Sequence, residues 1–181
     1  MTEARSDSVV RRPAPPLRAF IDSYIGYRQV GMAPAVHRGL PSRHLTFIVS
    51  IGRPIDVVAQ TDPHQAPASY EFVVGGLQAS SALIAHDGNQ EGVAIELTPL
   101  GCRGLLGVPA QALWNTSLEA GDLLGRLAGE LRERLHETAG WDARFAMCDE
   151  VLGRLIGTGQ PAAPALQEAW RLVVASGGTV P

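Results

Sequence analysis

The sequence predicts an α+β protein, a curled antiparallel sheet or barrel followed by about three α-helices. Three observations carry this. Apolar and polar residues alternate in short runs through residues 45–97; Gly, Pro and Asp punctuate those runs; and after Pro99 the apolar spacing lengthens, with Arg and Glu opposite. Alternation marks strands buried on one face, and spacing of three to four marks amphipathic helices. Strands followed by helices indicate segregated layers rather than a doubly wound sheet.

Residues 1–16 are polar and rich in Arg and Pro, and read as a disordered lead. No apolar segment follows its charges, so it is not a secretory signal, and the expected compartment is cytoplasmic. In PLRAFIDSYIGYRQV, Leu17, Phe20, Ile21 and Tyr24 fall at i, i+3, i+4 and i+7, the face of a short helix, running into a strand at 27–30. Residues 17–98 are assigned to the barrel. In HLTFIVSIG, Leu45, Phe47, Val49 and Ile51 alternate with His44, Thr46, Ile48 and Ser50. A turn at 52–54 leads to IDVVAQ, a polar loop to YEFVVGGL, and SALIAH reaches Asp87 and Gly88 before GVAIELTPLG. Residues 99–181 are assigned to a helical region. One stripe carries Leu124, Leu127, Ala128, Leu131 and Leu135, and a second carries Trp141, Phe145, Cys148, Leu152, Leu155 and Ile156. A third helix aligns Leu166, Ala169, Trp170 and Val173 before Gly177 and Gly178 stop it.

A chain of 181 residues buries roughly two-thirds of its unfolded surface, enough for a full core. No apolar run approaches the roughly 20 residues that span a bilayer, so no membrane association is expected. All 15 basic residues are arginine, yet the net charge is −3 and no helix concentrates positive charge. A nucleic-acid footprint needs such a surface, so any contact with DNA has to come through another module. Cys102 and Cys148 stand apart in the sequence and read as buried small apolar residues rather than a disulfide or metal pair.

Two stretches carry a family likeness. HRGLPSRHLTFIVSIGRPIDV (37–57) and IELTPLGCRGLLGVPAQAL (95–113) resemble the first barrel strands and the strand-to-helix junction of a subgroup of AraC-family transcription regulators. The TPLG…LLGVPA signature at the junction is the more specific of the two. LLGRLAGELRERL and AWRLVVASGG follow the same pattern, so the resemblance runs from about Pro16 onward. It implies a cupin-like barrel that senses a small-molecule effector, with helices that dimerise. In that family two helix-turn-helix motifs follow, and this chain stops at ASGGTVP, about where they would begin. The implied function is an effector-sensing and dimerisation domain, not an enzyme, acting as a homodimer and reaching DNA only through a C-terminal domain not in this chain. Two alternatives stand beside it: a small cupin-type metal-dependent enzyme, and a stand-alone interaction module.

A cupin-like barrel raises the question of a metal. The enzymatic pattern needs two histidines one residue apart, a nearby carboxylate and a later histidine around one cation. Here His37 and His44 flank Pro41 without an H-x-H, His64 lies in a loop and His86 adjoins a turn, so neither metal nor cofactor is expected. No G-x-S-x-G elbow or Cys–His signature points to a nucleophile, and no catalytic residue is assigned. The glycines of GCRGLLG lack a P-loop lysine and read as tight packing at the strand-to-helix turn. Ligand contacts are instead expected from polar alternates near the strands: Tyr27, His37, Arg38, His44, Thr46, Ser50, Gln78, His86 and Glu96. A small barrel binds ligand with a mostly apolar wall and a few such groups.

Overall fold

Two antiparallel sheets and five α-helices make up residues 4–179, the residues that the computed structural model describes. The larger sheet has six strands in the order β1 (Arg5–Arg11), β2 (Ile21–Val30), β9 (Gln90–Leu97), β4 (Leu45–Ser50), β7 (Phe72–Gly75) and β10 (Ser117–Glu119). The smaller has four: β3 (Ala35–Gly39), β8 (Ala82–His86), β5 (Ile55–Ala59) and β6 (Ala68–Tyr70). The helices are α1 (Pro99–Leu106), α2 (Gly121–Leu124), α3 (Arg126–Glu137), α4 (Trp141–Gly153) and α5 (Pro164–Ala175). The class is α+β, as the patterning predicts. Among the described residues the two sheets do not close into one barrel, and no helix is long and apolar enough to cross a membrane.

Strand register sorts the side chains of the larger sheet onto two faces. Tyr24, Ile95, Phe47 and Val74 form one cross-strand row, and Val93, Val49 and Phe72 form the next. All are 1% exposed or less, and they share one cluster with Leu105, Leu131, Leu135, Phe145, Cys148, Val151 and Leu152 from the helices. The opposite face carries Ile48 and Val73, which pack with Ile55, Val57, Ala82 and Ile84 of the smaller sheet. The order of layers is therefore helices, larger sheet, smaller sheet. Both cysteines are free and buried, as their isolation implies.

Several boundaries differ from the sequence reading, each for a physical reason. The lead expected to be disordered over 1–16 contains β1, which pairs with β2 from Arg5↔Val30 to Arg11↔Tyr24. Its side chains are mostly exposed, so backbone pairing holds it and little apolar pattern announces it. Asp149 of α4 then anchors the end of this segment. Its carboxylate takes the Arg11 guanidinium at 2.5 Å, the Ala14 N–H at 2.8 Å and the Tyr24 hydroxyl at 3.0 Å. The helix expected on Leu17, Phe20, Ile21 and Tyr24 is a short 3-10 turn (Pro15–Leu17) followed by β2. The register of β2 against β9 slips between Ile21 and Ser23. A bulge inserts one extra residue, so the core-facing residues Ile21 and Tyr24 stand three apart and mimic a helical period. The strand portion also runs past residue 98: β10 pairs with β7, inside the region assigned wholly to helices.

The TPLG junction is a capped helix. Thr98 accepts a hydrogen bond from the Gly101 N–H at 2.9 Å, and Pro99 opens α1. A Cβ on Gly101 would lie 2.1 Å from the Phe20 carbonyl oxygen. The tight-packing reading of that glycine stretch holds.

Candidate functional site

The face of the larger sheet turned toward the smaller one is unusually polar for an inter-sheet surface. Its rows read Ser23, Glu96, Thr46 and Gly75; then Ile25, Ala94, Ile48 and Val73; then Tyr27, Gly92 and Ser50. In the middle row only Val73 is fully buried. An inter-sheet space that served only stability would be lined with apolar side chains on both faces.

The first row is built into a cluster. The bulge in β2 re-aims Asp22, so that Asp22 and Ser23 both serve this side. Ser23 donates to Glu96 Oε2 at 2.6 Å. His44, just before β4, is 8% exposed and lies between two carboxylates: Nε2 is 3.2 Å from Asp22 Oδ2 and Nδ1 is 3.5 Å from Glu96 Oε1. Its backbone is pinned by Ser42, whose hydroxyl accepts from the His44 N–H at 3.0 Å and donates to the His44 carbonyl at 3.2 Å. Arg43 completes the group, its Nε donating to His44 Nε2 at 3.2 Å and its Nη2 to Asp22 Oδ2 at 3.2 Å. His44 Nε2 thus faces Arg43 and Asp22, and Nδ1 faces Glu96.

The nine candidates from the sequence fall in different places. His44 and Glu96 belong to this cluster, Thr46 shares their row opposite Glu96 and Gly75, and Gln78 reaches toward the same row, its Nε2 being 3.8 Å from where a Gly75 Cβ would stand. Tyr27, Ser50 and His86 line a small cleft of about 40 Å³ at the other end of the inter-sheet space, with Arg53, Asp56 and Glu91. Tyr27 folds its hydroxyl over Gly92, where a Cβ would come within 2.6 Å of it, and burial raises its pKa to about 12. His37 lies in the same row of the smaller sheet as Ile84 and Val57, with its ring centroid 5.7 Å from that of His86. Its pKa is lowered, by partial burial first and by the proximity of His86 second. Arg38 alternates to the outer face, where its guanidinium reaches only Ser81 at 3.5 Å, and it joins neither group.

Asp22, Ser23, Ser42 and Arg43 were not among the sequence candidates. Asp22 and Ser23 lie where the spacing predicts a helix, and the contacts of Ser23 with Glu96, 73 positions on, and of Asp22 with Arg43, 21 positions on, carry no signal there. Arg43 sits beside His44 in the chain, and only the turn at Ser42 shows that their heads meet.

A second feature lies around α5. An apolar groove of about 460 Å³ runs between this helix and the start of α1, lined by Pro99, Leu100, Pro109, Leu166, Trp170 and Val173 among others. Leu166, Leu172, Val173 and Val174 are 36–51% exposed, so the third amphipathic stripe does not join the core.

Residues 10–119 match a family model described as a domain of unknown function (DUF6597). The match ends with β10, so it takes in β2 to β10 and α1, only the end of β1, and none of the α-helices after α1. No curated protein and no solved structure matches the chain.

Proposed function

The chain belongs to the DUF6597 family, and for it we propose the role of effector-sensing and dimerisation domain of an AraC-type transcription regulator, with the two sheets forming a cupin-like half-barrel that takes a small molecule. The observation that carries the proposal is the polar first row on the inter-sheet face. Ser23, His44, Thr46 and Glu96 converge where the fold itself asks for apolar contacts, beside the half-buried Ile25, Ala94 and Ile48. A mostly apolar wall with a few fixed polar groups is how proteins hold small ligands. The regulator part rests on the resemblance of residues 37–57 and 95–113. The unpacked apolar helix α5 also supports it, as a surface on which a second copy or a following module would settle.

In this reading, effector in the inter-sheet space favours one arrangement of sheets and helices, and that bias passes through α5 to a DNA-binding module. The reading predicts that the coding frame continues past Pro181 into paired helix-turn-helix motifs. It also predicts that the full-length protein binds its operator with different affinity once effector saturates it. A stop codon directly after Pro181, or identical operator affinity with and without effector, overturns it.

A further inference from the structure

We infer that Asp22, His44 and Glu96 form a binding site for one first-row divalent metal ion, and that Arg43 is the internal cation which occupies that site until the metal displaces it. The inference concerns the same inter-sheet face but does not rest on the regulator reading, since metal binding is read on the chain alone.

Three donors, from β2, β9 and the turn before β4, converge here. One nitrogen of His44 and one oxygen from each of Asp22 and Glu96 all lie within 4.8 Å of one another. Donors sharing a four-coordinate ion at about 2.1 Å stand about 3.4 Å apart, and His44 Nε2 is already 3.2 Å from Asp22 Oδ2. The third donor has to close by about an ångström. That donor is Glu96, which is 27% exposed and closes the gap by turning its carboxylate toward the imidazole, while Asp22, 42% exposed and at a bulge, follows it. Support of the kind metal ligands usually receive is present: Ser23 donates to Glu96 Oε2 and leaves Oε1 facing the imidazole, and the Ser42 turn fixes the His44 backbone.

The position of Arg43 is the independent observation. Its guanidinium donates at once to the His44 Nε2 lone pair and to Asp22 Oδ2, two of the atoms a metal ion would take. A cation already sits at this point, held by the Asp22 carboxylate and the imidazole nitrogen. Arg43 is also 54% exposed along its side chain, so it can swing into solvent without disturbing the core. One imidazole nitrogen with two carboxylate oxygens suits manganese, iron, cobalt, nickel or zinc, because the nitrogen disfavours the all-oxygen preference of magnesium and calcium. Three protein donors leave coordination positions open to water or a ligand.

The test uses the full chain, stripped with a chelator and titrated with Co²⁺ and Zn²⁺ by calorimetry, with the visible spectrum of bound Co²⁺ as a second readout. Expected is one ion per chain. His44→Ala and Glu96→Gln weaken binding by about tenfold or more, in the range that disrupting a metal site brings. Arg43→Gln tightens it, because the competing cation is gone, and no folding defect produces a gain of affinity. Far-UV circular dichroism establishes that each variant is folded, and a misfolded His44→Ala leaves Glu96→Gln and Arg43→Gln to decide. No saturable binding by the wild-type chain, or affinity unchanged by Glu96→Gln and Arg43→Gln, overturns the inference.

Discussion

The two faces of the six-stranded sheet meet different partners and are composed accordingly. Toward the helices, Tyr24, Phe47, Val49, Phe72, Val74, Val93 and Ile95 are sealed to 1% exposure or less. One residue along each strand, the face toward the smaller sheet carries Ser23, Thr46, Glu96 and Ser50, with Ile25, Ala94 and Ile48 only partly covered. The same strands thus hold a core on one side and a site on the other. Stability is drawn from the helix side, which frees the inter-sheet side to keep polar groups that contribute little to folding.

The largest effect that tests this division is truncation in the helix-facing core. Phe47→Ala is expected to cost about 3–5 kcal/mol, lowering the melting temperature by roughly 10–15 °C for a chain of this size. Its neighbour on the other face, Ile48→Ala, should cost only about 1–2 kcal/mol, since much of that side chain already touches water. Urea unfolding of both variants measures the contrast. Equal costs would show that the two faces share the load.

Next in size is Asp149→Ala. This carboxylate, 11% exposed, ties β1 and the 3-10 turn to α4 and holds the buried Tyr24 hydroxyl. Removing it leaves the Tyr24 hydroxyl and the Ala14 N–H without their acceptor, at a cost of about 2–3 kcal/mol. Amide exchange in residues 5–11 should accelerate more than elsewhere in the sheet, which distinguishes loss of this tie from general destabilisation.

Tyr27 gives a smaller, pH-dependent effect on the inter-sheet side. Burial raises its pKa from 10.0 to about 12, so the native chain keeps the proton that the unfolded chain releases first. The stabilisation from the neutral phenol is complete below pH 10 and fades as pH rises toward 12. Tyr27→Phe should flatten the stability curve between those values and remove one step from the alkaline phenolate titration. Tyr24, whose pKa is raised further by burial and then by Asp149, remains as the internal reference on the helix side.

How much of this division was legible in the sequence follows from where alternation was regular. In HLTFIVSIG and GVAIELTPLG the period of two is unbroken, so Phe47, Val49, Val93 and Ile95 read directly as one face, and His44, Thr46, Ser50 and Glu96 as the other. At β2 the bulge replaces two by three, and the segment around Ile21 and Tyr24 passes for a helix. The same bulge hides Asp22, so no spacing in the sequence brings Asp22, His44 and Glu96 together. β1 and β10 are missed for another reason. Both are edge strands whose pairing is decided by distant partners, Ile25 and Tyr27 for the first, Val73 and Gly75 for the second, and a short run such as SLE carries no period to read. The α5 stripe was legible as a helix, but periodicity cannot tell a face that joins the core from one left for a partner.

The smallest expected effect is the sharpest on the meaning of the polar face. Thr46 lies between Glu96 and Gly75 in the first row, and its hydroxyl makes no hydrogen bond to another described residue that the folded state would lose. Thr46→Val keeps the shape of the side chain and the strand preference of a β-branched residue. If the first row is held polar for a ligand, this change should leave stability within about 0.5 kcal/mol of the wild type, the usual range for a substitution that breaks no specific contact. Binding in the inter-sheet space should weaken measurably by contrast. A clear loss of stability in Thr46→Val would mean that the polar row contributes to folding, and the functional account of that face would lose its main support.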